Sequence, residues 1–447
     1  MPAKPGPSER RLHVLVLAHR FPPTGGAGVQ RNLQLARHLE EFGCRATVIT
    51  GPGPVEYRWT PEDPQLGRGS VRAKVVRLPG TEPTPGPWEA RLERWARTPT
   101  RWRRWWRDGI LRAAASVGEV DVVHASVAPY ATGASAVALA RRLRRPLVLD
   151  FEDPWALDEM LVYPSGVHRT LERRRMGRVL RGAATVVMNT PEARLRVLDA
   201  FPQLTPDRVL AIPNAFDPLD VPEPPPASPV EGFRIVHPGS LHTEFGRRPR
   251  AERRRRRLLG GAVPGVDFLT RSHVFLLGAV ERVRRERPEL ASSIEVVLAG
   301  VFTDEDRSVA ARHPFVRLRD FVPHAETIAL VRSADLLFLP MHDLPPGRRA
   351  GLVPHKTYEY LASGRPILAA VPDGDARDLL DAAGSARLCR PADTDAMASA
   401  IVAELERKAA GVPAPPPAAE VVERCSCGHL LRELAGLYDG LAAPSAR

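Results

Sequence analysis

Lys356, Glu359 and Tyr360 are the side chains of this sequence best spaced to grip one polar ligand together. They stand at i, i+3 and i+4, which puts all three on one side of a helix. A cation there suits a phosphate, and a carboxylate accepts two vicinal ribose hydroxyls at once. The stretch around them, GLVPHKTYEYLASGRPILAAV over residues 351–371, reads as loop, helix, tight turn and strand. Pro354 costs nothing in a first helical turn. Gly364 and Pro366 stop the helix, and residues 367–371 are short and apolar enough for a buried strand. The plainer reading of the same residues is a surface helix with a weak Lys–Glu pair.

Other groups with chemical potential sit where strands end. His124 closes DVVHAS, a position from which an imidazole bonds a sugar hydroxyl or polarises a group. Asp150, Glu152 and Asp153 close LDFEDPW; they either position an acceptor and serve acid–base chemistry, or cap the following turn. Gly25, Gly26 and Gly28 in FPPTGGAGVQR let backbone approach a ligand at a helix N-terminus, which favours negative charge. The G-x-G-x-x-G spacing is not met, and no G-x-x-x-x-G-K-[ST] occurs. Gly239 and Ser240 end another strand, and Arg247 or Arg248 follow to offer a guanidinium to a diphosphate. Cys425, Cys427 and His429 form C-x-C-x-H with no second ligand cluster nearby, so no metal site is expected.

These groups need a scaffold, and the chain alternates strand and helix twice. Strands are expected at 13–18, 45–50, 71–78, 121–126, 147–151, 185–189 and 208–213, with helices at 29–41, 101–117, 130–143, 166–181 and 192–200. After the Pro-rich stretch DPLDVPEPPPASPVE the alternation restarts. Strands then fall at 233–237, 294–299, 316–321, 335–339, 367–371 and 386–389, with helices at 270–286, 305–313, 324–333, 355–363, 376–383 and 394–410. One last helix covers 420–441. Such alternation implies an α/β chain of two doubly wound, Rossmann-like domains facing across a cleft, with ligands beyond the carboxyl ends of the strands. The domains are placed at 1–220 and 232–412, joined by a linker at 221–231, with a C-terminal helix at 418–442.

A chain of 447 residues is too long for one core, and 43% hydrophobic content is that of a globular protein. No apolar run approaches the ~20 residues of a membrane span, and HVLVLA followed by FPP suits a first strand better than a signal peptide. Four cysteines make no disulfide framework, so a cytoplasmic location is expected. The net charge of +12 admits nucleic acid, an anionic membrane or phosphorylated substrates. Trp102, Trp105 and Trp106 interleave with Arg101, Arg103, Arg104 and Arg107, a pattern that either lies in a bilayer interface or packs its indoles inward. RRPRAERRRRR over 247–257 reads as a solvated loop or an anion-facing segment. No nucleic-acid motif accompanies these tracts.

Three stretches together resemble the GT-B glycosyltransferases of family 4, also called glycosyl transferases group 1. They are VLVLAHRFPPTGGAGVQRNLQLARHLEEFGCRATVIT, DVVHASVAPYATGASAVALARRLRRPLVLDFEDPW and HKTYEYLASGRPILAAVPDGDARDLLDAAG. The resemblance covers nearly the whole chain. It implies a retaining enzyme that uses a nucleotide-sugar donor, needs no metal or other cofactor, and glycosylates a hydroxyl acceptor. It implies that Gly25 and Gly26 form the acceptor-side loop near the donor phosphates and that His124 lies beside the donor sugar. It gives Glu359 the nucleotide ribose with Lys356 nearby, Arg247 or Arg248 the diphosphate, and returns the last helix to the first domain. The family often carries two glutamates eight positions apart; here Gly351 stands where the first belongs. Many relatives have Arg before Asp-Pro-Trp, where this chain has Glu152.

The expected function is sugar transfer in cell-surface polysaccharide, glycolipid or glycosylated-metabolite synthesis. His124 and Asp153 would act in catalysis, while Gly25, Gly26, Gly239, Arg247, Arg248, Lys356 and Glu359 would bind the donor. Peripheral contact with the inner membrane face would run through Arg101 to Arg107. The alternatives are a noncatalytic nucleotide-sugar-binding protein and an NAD-dependent oxidoreductase of two Rossmann domains.

Overall fold

The computed structural model describes residues 11–53, 61–96, 98–221, 232–247 and 258–443. The chain divides into two compact units, Met1–Asn214 with Cys427–Arg447, and Ala215–Ser426.

The first unit is built on a seven-stranded parallel sheet ordered β3-β2-β1-β4-β5-β6-β7. Its strands are β1 (Leu12–Leu17), β2 (Cys44–Thr50), β3 (Lys74–Arg77), β4 (Val122–Ser126), β5 (Leu147–Phe151), β6 (Thr185–Met188) and β7 (Val209–Ala211). LHVLVL is apolar almost throughout because helices cover both faces of a parallel sheet. β1 pairs in register with β2 on one side (Leu12 opposite Cys44) and with β4 on the other (Val14 opposite Val122). Strand order reverses between β1 and β4, so the loops after these two strands splay apart and leave room for a ligand. The helices that matter below are α1 (Ala27–His38), α2 (Pro87–Ala96), α3 (Arg101–Ala114), α4 (Ala131–Leu143), α5 (Gly166–Leu180) and α6 (Pro191–Ala200). α6 starts as its sequence dictates: the Thr190 hydroxyl accepts the Ala193 N–H, and Pro191 fills the first turn. The last helix, Cys427–Ala442, belongs to this unit and buries Leu431, Leu434 and Tyr438 completely.

The second unit repeats the plan with a six-stranded parallel sheet ordered β10-β9-β8-β11-β12-β13. Here β8 is Phe233–Pro238, β9 Ile294–Ala299, β10 Val316–Arg319, β11 Leu336–Pro340, β12 Ile367–Ala370 and β13 Ala386–Cys389. The reversal falls between β8 and β11. The helix Lys356–Ser363 ends on Gly364, whose φ of 66° is costly for other residues and whose N–H reaches the Leu361 carbonyl at 3.1 Å. Pro354 stands two residues ahead of the helix, and its carbonyl accepts the Thr357 N–H.

The thirteen strands of the described residues fall where hydrophobic runs place them, with β3 and β7 trimmed at both ends. α2 has no counterpart in the sequence reading. The single helix expected over 420–441 is two, Ala419–Arg424 and Cys427–Ala442. Between them the Ser426 hydroxyl donates to the Glu423 carbonyl at 2.7 Å and competes with helical bonding. Of the expected linker at 221–231, residues 222–231 lie outside the described residues.

Candidate active site

In the second unit the site residues meet at the carboxyl ends of β8 and β9. Gly239 follows β8 with φ 143°, and its N–H bonds the Ala299 carbonyl at 2.7 Å. A β-carbon on Gly239 would overlap the Lys356 Nζ and lie 3.6 Å from His237 Nε2. Gly300, after β9, has φ 150°, and a β-carbon there would come within 2.8 Å of the Gly239 carbonyl. Two glycines thus clear a floor, and the Lys356 side chain lies across it.

Lys356 donates to His237 Nε2 at 3.4 Å, and His237 donates from Nδ1 to the Phe338 carbonyl at 2.8 Å. That tautomer leaves Nε2 as an acceptor. Burial pushes the Lys356 amine down to about 7; the Arg271 charge adds to the shift and Glu359 opposes it. Burial likewise drives His237 well below its ordinary value, with the Lys356 charge second, so the ring is neutral at pH 7. A buried amine near neutrality with a cationic neighbour is a pocket that an anion would complete.

Glu359 lies one turn on. Its carboxylate accepts from His324 Nε2 at 2.8 Å, and both groups are largely buried. Burial by itself would raise the Glu359 carboxyl, but His324, by charge and hydrogen bond, outweighs it with His355 and Lys356 and holds it low. The site therefore keeps a charged acceptor at Glu359. Tyr360 does not join these two residues: it is fully buried, and its hydroxyl donates to the Phe338 carbonyl at 3.4 Å. At i+4 from Lys356 it faces the sheet, so the shared side is narrower than the spacing alone implies. Gly351 is buried in the loop before the helix, next to Ala350, which bridges to Gly374.

The arginines are distributed otherwise than expected. Arg247 pairs with Glu305 at a half-exposed position. Arg248 lies outside the described residues. The guanidinium whose charge bears on both Lys356 and His237 is Arg271, which the sequence reading did not single out. It precedes a helix by three residues, and only the fold brings it to this strand end.

In the first unit the acidic trio at the end of β5 splits into different environments. Asp150 is buried and accepts from Arg31 Nε at 2.6 Å, while His124 Nε2 lies 3.3 Å away. Burial would raise Asp150, but Arg31 and His124 outweigh it and keep it ionised. His124 is fully buried; its Nδ1 accepts from the Tyr438 hydroxyl at 2.9 Å. Arg31, in α1, also donates to the Pro213 carbonyl at 2.8 Å, so one guanidinium ties α1 to two strand ends. Glu152 packs against the start of α1: a β-carbon on Gly28 would come within 2.8 Å of its Oε2. Burial raises Glu152 to about 7, Asp153 adds to the rise, and Arg20 and Arg31 oppose it. Gly25 has its own steric reason, since its N–H bonds the Pro61 carbonyl at 2.7 Å and a β-carbon would crowd that oxygen. Gly26, with φ 95°, caps α1.

A further cluster stands after β1. His19 Nε2 lies 3.1 Å from Glu82 Oε2, and Trp102 Nε1 donates to the same carboxylate. Trp102 and Trp106 present ring edges to His19 at centroid distances of 5.2 and 5.0 Å. The α3 tryptophans therefore face inward. Trp106 has no exposure and donates to Thr132 at 3.1 Å, while Arg101, Arg104 and Arg107 stay outside. Of the two readings of α3, the inward one describes Trp106, which is buried in the core; Trp102 and Trp105 are half-buried and pack against it.

Residues 25–215 match the family model described as glycosyl transferase 4-like domain, and residues 268–407 match glycosyl transferases group 1. The chain is a glycosyltransferase of this family. Its fold is GT-B, as similar solved structures show. Sucrose-phosphate synthase from Thermosynechococcus elongatus superposes with a TM-score of 0.65 at 13% identity, over 97% of this chain and 100% of that one. The Anabaena protein HepE, in complex with UDP-glucose, gives 0.59 at 15% identity, over 96% and 100%. Trehalose 6-phosphate synthase from Burkholderia multivorans gives 0.56 at 13% identity, over 97% and 98%. No curated protein sequence matches this glycosyltransferase. Among its described residues, no helix is long and apolar enough to cross a membrane.

Proposed function

We propose that this glycosyltransferase moves a sugar from a nucleotide-diphosphate-sugar donor to a hydroxyl acceptor with retention at the anomeric carbon. One observation carries the reading. A largely enclosed amine, Lys356, which an anion would hold protonated, lies over a floor cleared by Gly239, and a buried carboxylate, Glu359, stands one turn further along. The cation suits a diphosphate and the carboxylate a ribose. The complex of HepE with UDP-glucose supports the donor class.

Lys356 and Arg271 then stabilise the charge of the departing diphosphate, with Arg247 and Arg248 assigned to it as further cations. Preorganised cations in a dry site are strong contributors to such catalysis. With protein cations in that role the reaction is proposed to need no metal ion. On the first unit, Gly25 and Gly26 supply the acceptor-side loop. Asp153 is assigned to the chemistry, and His124 acts from behind Asp150, which it helps to hold ionised. The acceptor belongs to a cell-surface polysaccharide, a glycolipid or a glycosylated metabolite, and the enzyme works peripherally on the cytoplasmic face of an anionic membrane.

The test is turnover. UDP-, GDP- and ADP-sugars are incubated with the enzyme, with and without EDTA, and the anomeric configuration of released or transferred sugar is read by NMR. Inversion overturns the stereochemistry, and loss of activity in EDTA overturns the metal-free step. Gly351, at the position of the missing first glutamate, favours a second reading. Tight nucleotide-sugar binding with no turnover of any donor would mark a noncatalytic binder.

A further inference from the structure

Helix α2 is built inside out. Its half-buried residues include Glu89 and Glu93, which pair with Arg101 and Arg103 of α3. Its exposed residues include Trp88, Leu92 and Trp95, at 74%, 52% and 52% of full accessibility. These three stand at i, i+4 and i+7 and share one face. An amphipathic surface helix normally does the reverse, keeping charge outside and apolar groups in.

The apolar face continues onto α5. His168 donates to the Trp95 carbonyl at 3.3 Å, and its ring meets the Trp95 indole edge-on at 5.5 Å. Beside His168, Val167 is 68% exposed, and Leu171, one turn later, 40%. Leu171 also lines a groove of about 830 Å³ with Arg103, Arg173, Arg174, Arg175, Arg178 and Arg181. α5 keeps Met176, Val179 and Leu180 against the core, so its arginines are left for the groove. All of this lies within the first unit.

We propose that this face docks the enzyme on an anionic lipid bilayer, with Trp88, Leu92 and Trp95 entering the interface and the arginine groove receiving lipid phosphates. Indoles favour the headgroup boundary, and basic residues near it gain from the negative surface potential. Leu92, Val167 and Leu171 would gain nothing from nucleic-acid bases, whereas acyl chains cover them. The proposal rests on the peripheral-membrane reading given above and names the surface that performs it.

The test is co-sedimentation of the full-length protein with vesicles of phosphatidylcholine alone and of phosphatidylcholine mixed with phosphatidylglycerol. Two variants are compared with the parent, Trp88→Ser with Trp95→Ser, and Arg173→Glu with Arg174→Glu. All four residues are exposed, and because Arg173 also bonds the Ala200 carbonyl, the melting temperature of each variant is measured alongside. The parent is expected to bind the anionic vesicles and not the neutral ones, and each variant to bind them about tenfold or more weakly. If the parent binds and both variants match it, this surface is wrong while the membrane reading stands. If the parent ignores anionic vesicles, the membrane reading fails and takes the surface with it. Salt-sensitive retention on single-stranded DNA with no vesicle binding would also overturn the proposal.

Discussion

Gly239 leaves the space that the Lys356 amine fills. A β-carbon at Gly239 would overlap Nζ and approach Cε to 3.0 Å. Gly239→Ala should therefore push the amine off the strand end. The φ of 143° adds a backbone penalty for any L side chain. Nucleoside diphosphate affinity should fall about tenfold or more, since a hydrogen bond to a charged group is worth about 1.5–3 kcal/mol. Isothermal titration with UDP and GDP checks this. Unchanged affinity in the alanine variant would place the phosphates elsewhere.

The Lys356 amine, held near 7 in the folded chain against 10.5 in the unfolded one, sets two opposite pH trends. The unfolded chain binds this proton more tightly, so stability rises with pH between about 7 and 10.5 and carries the full penalty below 7. Lys356→Met should therefore be more stable than the parent at about pH 6, by on the order of a few kcal/mol, with the gap closing toward about pH 10. An anionic diphosphate reverses the preference and raises the amine's pKa. Binding should take up a proton above pH 7 and weaken by up to about tenfold per pH unit. Calorimetry in buffers of different ionisation enthalpy reads that proton directly. Its absence would mean that Lys356 does not face the phosphates.

The parallel sheets were legible because strands buried on both faces are nearly continuous apolar runs, as in LHVLVL and LVLDF. The Lys356–Glu359 spacing was legible because both lie on one short helix. Arg271 and His324 were not, because each comes from a separate segment that only the sheet order brings to the Lys356 helix. Arg31 and Asp150 are likewise 119 residues apart, and their ion pair leaves no local pattern. α2 carries a helical apolar period at Trp88, Leu92 and Trp95 that the sequence reading passed over; what no period shows is that this face is left outward while Glu89 and Glu93 pair with α3. The α3 indoles show the converse, since interleaved Trp and Arg fit a lipid face and a core face equally until the neighbours are known.

Glu359 is expected to act through the pentose. Glu359→Ala should lower nucleotide affinity about tenfold or more. A sharper check compares a nucleotide with its 2′,3′-dideoxy analogue. The parent should prefer the hydroxylated ligand, and Glu359→Ala should lose that preference. His324→Ala removes the group that offsets burial at Glu359, so the carboxyl should protonate more readily. Affinity in that variant should then fall at a higher pH on acidification than it does in the parent. Equal discrimination of the two ligands by Glu359→Ala and the parent would remove the carboxylate from the ribose.

Glu152 carries the opposite sign from Lys356. Burial first, then Asp153, raises its carboxyl to about 7 from 4.5. Between those values the folded chain holds a proton that the unfolded chain has released, so stability falls as pH rises from about 4.5 to 7. Above 7 the charge is buried against the start of α1, and Arg20 and Arg31 offset it only in part. Glu152→Gln keeps the shape and removes the charge. It should stabilise the first unit by about 1–3 kcal/mol at about pH 8 and by much less at about pH 5. Denaturant unfolding at the two pH values measures the difference. A stabilisation that does not change with pH would mean that Glu152 is not the titrating group, and that the carboxylate beside Gly28 is already neutralised by its arginines.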